Sequence, residues 1–298
     1  MVRACLLTLP DACRGLAWRA TVIDNVSNDG SLEMLAAEFP DVRVVVNEVR
    51  LGFGANHNQV IRRLVTDGTA RHVLVLNDDT ELEPGSVARL VAALDTDPDL
   101  GAVVPTIVDG EGREAATRLA WPSPRSWMRA DRFDVTELPD PEHGWLQGSC
   151  LLVRVAALRD VGGFDERFFL FYEDVDLSQR LVRGGWGLGV CPEAIVVHHG
   201  HATVFKDEIV GDNFRHGLRS RYLYFEKHLG RPTAAALSAA GRSVMLARSA
   251  KAWAHWTRTR DPVARARATR LLDLARLNPR RPLPAERPTP PAEPSTDR

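Results

Sequence analysis

Apolar positions along the chain change period repeatedly, from short β-branched runs to segments in which apolar residues recur every three or four positions. The first pattern is typical of buried strands and the second of amphipathic helices, so their alternation predicts βαβ units in a mostly parallel sheet flanked by helices. In chain order, the predicted elements are a strand at 19–24, a helix after Ser31, a strand at 42–46, a helix near 54–67, a strand at 72–77, a helix near 85–95, strands at 101–105 and 150–154, a helix at about 174–183, and strands at 187–191 and 194–198.

The last third of the chain has a different pattern. Residues 208–277 read as helical, with interruptions at Gly230-Arg231-Pro232 and Asp261-Pro262, and proline becomes frequent after Asn278. The proline-rich end is predicted to be disordered because it cannot bury enough apolar surface. The expected organisation is an α/β domain over 1–230, a basic amphipathic helical tail over 231–277 and a disordered end over 278–298.

Composition narrows the class of protein. The 298 residues are 44% hydrophobic and 26% charged, which is enough apolar content for a sizeable core. The four cysteines form no CxxC pair and the chain opens without a signal peptide, which favours a reducing cytoplasmic location without disulfides. No run reaches the roughly 18–20 apolar residues that span a bilayer, so we expect a protein that does not cross a membrane.

The formal net charge of −1 conceals an asymmetry along the chain. Residues 214–298 contain 18 Lys and Arg against 6 Asp and Glu, whereas residues 1–213 contain 20 against 33. A basic tail on an acidic body favours either contact with an anionic membrane surface or an ordinary solvated helical face. Both interpretations stay open; under the first, the protein would be peripheral on the inner face of the membrane. We expect no nucleic-acid partner.

Polar residues follow the predicted strands at two places, where α/β proteins commonly bind ligands. Asp24 and Asn25 open a polar turn, which a turn with a helix cap would equally explain. Asn77, Asp78 and Asp79 follow the strand at 72–77, and two adjacent carboxylates repel each other unless a cation binds. Mg²⁺ or Mn²⁺ held there with substrate phosphate oxygens is one interpretation, and a solvated acidic turn is the other.

A third acidic motif follows an aromatic run. Glu173, Asp174 and Asp176 would lie in the first turn of a helix, where the helix dipole alone favours acidic residues. The aromatic residues at 168–172 would partly desolvate these carboxylates and raise their pKa, which suits a general base. Further along, His198 follows a strand and would be either structural or a metal ligand.

These motifs together resemble glycosyltransferase family 2, especially its rhamnosyltransferase-like members. The resemblance rests on DNVSNDGS, LGFGANHNQ, LVLNDDTELEPG, GWLQGSCLLVR, VGGFDERFFLFYEDVDLSQRL and VVHHG, in this order, and covers about residues 3–230. It implies a GT-A fold and an inverting, metal-dependent transfer of a sugar to an acceptor hydroxyl. The implied donor is a dTDP- or UDP-linked sugar, with rhamnose suggested by the NDDT motif. The acceptor would be a lipid-linked glycan or a small molecule, as in cell wall or polysaccharide biosynthesis.

The resemblance also implies roles for individual residues. Asp174 matches the catalytic base, and Glu173 would bind the acceptor or orient the base. Asp79 becomes the principal metal ligand, because Asn77 replaces the first carboxylate of the family's Asp-x-Asp element, and His198 matches a second metal or diphosphate contact. The residues expected around the nucleotide sugar are Asp24, Asn25, Asn58, Asp78, Trp145, Gly148 and Ser149, with Trp145 stacking on a sugar face.

One departure from the family concerns the start of the domain. The chain starts inside the helix that follows the family's first strand, so we expect that strand to be missing and an inner edge of the sheet to be unpaired. Either the true start lies upstream, or the protein is a degraded or repurposed relative. With Asn77, this keeps open an alternative function: a catalytically impaired relative that binds nucleotide sugars or acts as a scaffold.

Overall fold

The computed structural model describes residues 1–124, 143–200, 212–281 and 283. Nearly all of the proline-rich end, and residues 125–142 of the central stretch, therefore lie outside the described residues. The helices are α1 Val2–Ala12, α2 Ser31–Glu38, α3 Phe53–Asp67, α4 Ser86–Thr96, α5 Val155–Val161, α6 Glu173–Arg183, α7 Asp212–Leu229, α8 Arg231–Thr259 and α9 Pro262–Arg276. The strands are β1 Thr21–Asp24, β2 Arg43–Val46, β3 His72–Leu76, β4 Thr80–Leu82, β5 Leu100–Val108, β6 Glu114–Ala115, β7 Arg118–Leu119, β8 Trp145–Leu146, β9 Cys150–Arg154 and β10 Gly187–His198.

The central sheet has six strands, in the order β3-β9-β5-β10-β4 with β6 beside β5. The β5–β10 pair is parallel, whereas β9 runs antiparallel to both β3 and β5, and β4 runs antiparallel to β10. The α/β class is confirmed, but the sheet is mixed and not mostly parallel. Apolar runs in the sequence report burial on both faces and carry no information on the direction of the neighbouring strand.

The break expected in the sheet lies between β1 and β3. Strands β1 and β2 pair in parallel as a separate two-stranded sheet, and no described strand joins them to β3. Helix α1 buries Cys5, Leu6, Leu9 and Ala12 in the apolar cluster that also receives α2, α4 and one face of the sheet. Packing through α1 therefore connects the two sheets where backbone pairing does not.

Strand direction brings the candidate site residues to one edge of the sheet. Because β3, β5 and β10 run one way and β9 and β4 the other, the end of β3 meets the start of β9, and the end of β10 meets the start of β4. The backbone N–H of Asn77 donates to the carbonyl of Ser149 at 2.9 Å, and the N–H of His199 donates to the carbonyl of Asp79 at 2.9 Å. These bonds hold the turn after β3 between β9 and β10.

The C-terminal helices begin and end at the interruptions predicted from the sequence. Helix α7 ends at Leu229 and α8 begins at Arg231; α8 ends at Thr259, and Asp261 caps α9 by accepting a hydrogen bond from the N–H of Val263 at 2.9 Å. Helices α8 and α9 form a hairpin, held in part by the buried Ser249 hydroxyl, which donates to the carbonyl of Ala268 at 2.7 Å. No helix in the described part of the chain is long and apolar enough to span a membrane.

A glycine is required where α3 meets the aromatic loop of residues 168–172. A Cβ atom on Gly52 would lie 2.6 Å from the backbone of Phe169, and the N–H of Phe53 donates to the carbonyl of Phe169 at 2.9 Å. Contact this close leaves no room for any side chain on Gly52.

We predict that Gly52→Ala lowers the free energy of unfolding by about 1–3 kcal/mol, because the backbone of the loop must move to admit the methyl group. The measurement is urea unfolding followed by circular dichroism. The control is Gly110→Ala, whose Cβ would meet its nearest neighbour at 3.6 Å, and this change should stay within about 0.5 kcal/mol of wild type. Equal effects of the two substitutions would contradict the prediction.

Candidate active site

Asp79 and His198 meet at the edge of the sheet where β4 begins and β10 ends. Oδ1 of Asp79 lies 3.1 Å from Nε2 of His198, and their side chains are 18% and 20% exposed. A register shift between Cys191 and Ile195 separates the two halves of β10, and the second half pairs with β4, which aligns His198 with Thr80. The two residues expected to hold a metal are thus brought together at a partly open position.

The environment of the neighbouring residue, Asp78, disfavours the charged form of its carboxyl group. Burial raises the pKa of Asp78, and the adjacent charge of Asp79 raises it further. A cation bound at this turn would favour the charged form of Asp78 and so counteract both effects. The turn is backed by α1, since the thiol of Cys5 lies 3.7 Å from the carbonyl of Asn77 and from the hydroxyl of Thr80.

Glu173 and Asp174 start α6 after a strained stretch of backbone. Phe171 and Tyr172 both have φ of 67°, in the left-handed region that bulky residues rarely adopt. Such conformations persist only where the surrounding packing imposes them, and they concentrate at functional sites. Val26, in the turn after β1, has φ of 66°, so two of the three predicted ligand-binding turns carry this strain.

Both carboxyl groups are shifted toward the protonated form. Burial raises the pKa of Asp174 to about 6, although the backbone N–H groups of Gly148 and Val175 donate to it at 3.0 and 2.8 Å and favour its charged form. Burial, followed by the charge of Asp174, raises the pKa of Glu173 well above its ordinary value. The predicted rise in pKa is confirmed for Glu173 and Asp174 but is wrong for Asp176, where the hydrogen bond from His228 and the charge of Arg180 outweigh burial and lower the pKa. Asp174 is suited to accept a proton near neutral pH, and Glu173 to carry one.

The segment from β8 to β9 lies against the first turns of α6. Besides the Gly148–Asp174 bond, the N–H of Leu146 donates to the hydroxyl oxygen of Ser178 at 3.2 Å. Several buried polar atoms on these two adjoining segments have no hydrogen-bond partner among the described residues: Trp145 Nε1, Gln147 Oε1, Ser149 Oγ and Glu173 Oε2. Buried polar groups are normally paired, so these atoms are suited to receive the hydroxyl groups of a polar ligand. Gln147 was not singled out by the sequence, because one glutamine in a loop has no distinguishing pattern.

Trp145 does not offer an open face for a sugar. Its side chain belongs to the apolar cluster formed with Phe168, Tyr172 and Phe225, and the residue is 5% exposed. The structure places the ring in the core, where it supports the segment that carries Gly148 and Ser149. Its indole N–H has no partner in the part of the chain that the structure describes, and this group remains suited to meet a ligand.

Asp24 and Asn25 lie in the turn after β1. Asp24 is 5% exposed and accepts a hydrogen bond from the N–H of Ser27 at 3.2 Å. Asn25 bonds to both backbone groups of Leu51, and its Oδ1 also accepts from Asn47 at 3.1 Å. Asn25 therefore ties this turn to the segment before α3, and its amide is used within the fold.

Asn58 is buried, and its side chain bonds to the loop before the aromatic run. Its Nδ2 donates to the carbonyl of Phe164 at 2.9 Å and to Glu166 at 2.8 Å, and its Oδ1 accepts from the N–H of Phe164 at 2.9 Å. At 3% exposed, its amide fixes the loop before the aromatic run to α3. The side chain of Asn58 therefore supports the fold, whereas the resemblance led us to expect it near the donor sugar.

The donor atoms at Asp79 and His198 fit a divalent cation that also binds a substrate. A carboxylate and an imidazole are common ligands of Mn²⁺, and the carboxylate suits Mg²⁺. In the described ranges no group of three or more His, Cys, Asp or Glu residues converges on one point. Most of the coordination positions would then fall to phosphate oxygens and water, as is usual for Mg²⁺ with phosphate substrates.

Comparison with known proteins defines the class. The sequence profile described as Glycosyl transferase family 2 matches residues 1–162, more than half of the chain. The chain belongs to this family, and with the mixed sheet, its flanking helices and its C-terminal helices, the expected GT-A class of fold is confirmed.

Similar proteins include glycosyltransferases of known activity. An N-acetylglucosaminyl-diphospho-decaprenol L-rhamnosyltransferase of Mycobacterium tuberculosis is 37% identical over 203 residues, which cover 60% of this chain and 66% of that protein. A pre-mycofactocin glycosyltransferase of the same species is 30% identical over 178 residues, covering 59% of this chain and 36% of that protein. The chain thus spans slightly less than two thirds of the first relative and about a third of the second.

Among solved structures, a mannosyltransferase from Pyrobaculum calidifontis in complex with GDP-Man and Mn²⁺ aligns with a TM-score of 0.40 and 19% identity. The alignment covers 86% of this chain and 76% of that one. A likeness of this strength carries no argument about function.

The raised pKa of Asp174 predicts a pH dependence of stability. In the unfolded chain its proton leaves near the ordinary value for Asp, while the folded protein retains it up to about pH 6, so stability falls as pH rises between these values. We expect Asp174→Asn to be more stable relative to wild type at about pH 7.5 than at about pH 4.5, measured by urea unfolding.

The control for this prediction is Asp109→Asn. Hydrogen bonds from the backbone and side chain of Arg113 lower the pKa of Asp109, so its removal should cost stability at neutral pH and little in acid. If the difference in stability between Asp174→Asn and wild type is the same at both pH values, the pKa of Asp174 is not raised.

Proposed function

We propose that this protein is an inverting glycosyltransferase that moves a sugar from a nucleoside-diphosphate sugar to an acceptor hydroxyl. The observation that carries the proposal is the pair of carboxyl groups at the start of α6, the buried Glu173 and the partly buried Asp174, with Asp174 bonded through Gly148 to the loop before β9. That loop is in turn bonded to the turn carrying Asp79. A base joined in this way to a turn that would hold a divalent cation suits attack by a hydroxyl on a carbon that bears a diphosphate leaving group.

Asp174 acts as the general base in this proposal. Its carboxylate takes the proton of the acceptor hydroxyl while that oxygen forms a bond to the anomeric carbon, and the bond from that carbon to the diphosphate oxygen breaks. A single displacement inverts the configuration at the anomeric carbon. Glu173, protonated and with one oxygen lacking a partner, donates a hydrogen bond to the acceptor or orients it.

The donor nucleotide binds at the edge of the sheet. Asp24 lies near the nucleoside, Asp78 near the diphosphate, and Gly148 and Ser149 near the sugar. Asp79 and His198 would hold Mg²⁺ or Mn²⁺, which when bound neutralises charge on the departing nucleoside diphosphate. Positioning of both substrates by these fixed elements supplies much of the remaining rate enhancement.

The relatives suggest the substrates. One relative is named for transfer of L-rhamnose to a decaprenol-linked diphosphate acceptor. We accordingly propose a dTDP- or UDP-linked sugar, with rhamnose first, and a lipid-linked glycan acceptor in cell wall or polysaccharide biosynthesis. A catalytically impaired, nucleotide-sugar-binding relative is the alternative, and the buried carboxylate pair argues against it.

The α8–α9 hairpin supports a place for this activity at the cytoplasmic face of a membrane. Residues 231–276 contain ten Lys and Arg against two Asp. Val244 and Leu246 of α8 are 50% and 49% exposed, in a stretch of the helix that also contains Arg242 and Arg248. Apolar residues beside basic ones suit the interface of an anionic bilayer.

The donor site is tested by titration calorimetry with dTDP, UDP, GDP and ADP, each with and without Mn²⁺. We expect dTDP or UDP to bind in a metal-dependent manner, and Asp79→Ala to weaken that binding by at least about tenfold. Glu81→Ala is the matched control, because Glu81 forms a similar contact with His199 at 2.8 Å but both side chains are more than 40% exposed.

Each outcome of this titration selects one function. Metal-dependent binding lost only in Asp79→Ala supports the donor site, and transfer assays with the matching sugar nucleotide then follow. Binding without transfer to any acceptor would favour the impaired relative. A failure of every nucleotide to bind would reject the transferase and leave the scaffold.

Membrane contact is tested by flotation of the full chain with vesicles of phosphatidylglycerol or of phosphatidylcholine. We expect binding to the anionic vesicles alone, weakened by salt, and lost in the double variant Val244→Asp, Leu246→Asp. Leu7→Asp is the control, since Leu7 is 60% exposed on α1. If the double variant floats like wild type, the hairpin is not the contact surface.

A further inference from the structure

A buried ionic cluster joins α6 to α7 next to the carboxylate pair. Its centre is Asp176, which is fully buried. Its Oδ2 accepts from Nε of Arg180 at 2.7 Å, and its Oδ1 lies 2.7 Å from Nζ of Lys227 and 2.8 Å from Nε2 of His228. Both carboxylate oxygens are thus engaged by cationic or donor groups from two different helices.

The helix dipole does not account for this arrangement. A dipole effect needs only an acidic residue near solvent in the first turn, whereas Asp176 has lost all contact with water. Burial alone would raise the pKa of Asp176, but the hydrogen bond from His228 and the charges of Arg180 and Lys227 outweigh burial and lower it. The group is held as a charged carboxylate in the interior, which is costly unless its partners are well placed.

The same two helices enclose the strained aromatic loop. From α7, the Ser220 hydroxyl donates to the carbonyl of Leu170 at 2.9 Å, and Arg219 donates to the carbonyl of Arg167 at 2.7 Å. The ring of His216 stacks on Phe169 with centroids 4.4 Å apart. Helix α7 therefore lies along the loop whose last two residues have positive φ.

We propose that Asp176 is a positioning residue that locks α7 against the first turn of α6 and thereby fixes the orientation of Glu173 and Asp174. The first backbone bond of α6, from the N–H of Asp176 to the carbonyl of Tyr172 at 2.9 Å, joins this residue directly to the strained end of the loop. Side-chain contacts to α7 and a backbone contact to the loop meet in one residue. The positional part of this inference stands without the proposed function; only its consequence for catalysis rests on it.

The cluster can be tested without unfolding the protein, because its cations have other partners. Lys227 also binds Asp165 at 2.8 Å, and Arg180 donates to the carbonyls of Val161 and Gly163 at 2.8 and 2.6 Å. In Asp176→Asn the charge at the centre is removed at constant shape, while these contacts remain to satisfy Lys227 and Arg180.

The experiment is hydrogen–deuterium exchange of the full chain, read by mass spectrometry, on wild type, Asp176→Asn and Lys227→Met. We expect amides of residues 168–176 to exchange at least about tenfold faster in both variants, with β5 and α4 unchanged. Leu94→Ala, a core change in α4 where Leu94 is fully buried, should instead accelerate exchange in α4 and β5. Unchanged exchange at 168–176, or acceleration spread evenly over the chain, overturns the proposal.

Kinetics give a second readout. With sugar transfer measured, Asp176→Asn should lower kcat by roughly tenfold or more while the affinity for nucleoside diphosphate stays within about threefold, because misplacing a base affects the chemical step. Loss of kcat and affinity together, in proportion to the melting temperature as in Leu94→Ala, would overturn the assignment. Absence of transfer by wild type would reject the proposed function, and the exchange result would still decide the role of Asp176.

Discussion

The burial of two adjacent carboxyl groups at the start of α6 is the constraint on which the site depends. The burial of Glu173 and the partial burial of Asp174 disfavour the charged forms of both groups. Two backbone N–H groups donate to Asp174 and offset part of this effect. The arrangement requires a loop before β9 that reaches α6, and an aromatic stretch that turns sharply into the helix. The aromatic stretch depends in turn on the glycine at position 52, which lets α3 approach the loop.

Much of the fold was predictable because strands and helices have different periods of burial. The helices after Ser31 and near 54–67, 85–95 and 174–183 are confirmed to within a residue or two, as are both interruptions in the C-terminal helices. Pairing direction was not predictable, and the mostly parallel sheet was wrong. Strand β4 has three residues, too few for any period, yet its pairing with β10 is what brings Asp79 to His198.

Some site residues could be recognised from the sequence, and others only from their contacts in the structure. The acidic motifs after β3 and before α6 were visible because carboxylates next to apolar runs are uncommon. The positions of Asn25 and Asn58 in the sequence also suggested contact with a ligand. A side-chain amide can equally bond to the protein backbone, and both of these amides do so. The partners of Asp176 were invisible to sequence patterns because Lys227 and His228 lie more than 50 residues away along the chain. Only the packing of α7 on α6 brings them together.

The position of α7 changes how the basic C-terminal segment relates to the site. Helix α7 ends at Leu229 and α8 begins at Arg231, with Gly230 between them. The hairpin proposed to contact a membrane is therefore separated by one residue from the helix whose last turn holds Lys227 and His228 against Asp176. The hairpin is thus connected to the carboxylate pair through α7 and the buried ion cluster. Contact of the hairpin with a membrane would then bear on the orientation of the base, which agrees with the lipid-linked acceptor that we propose.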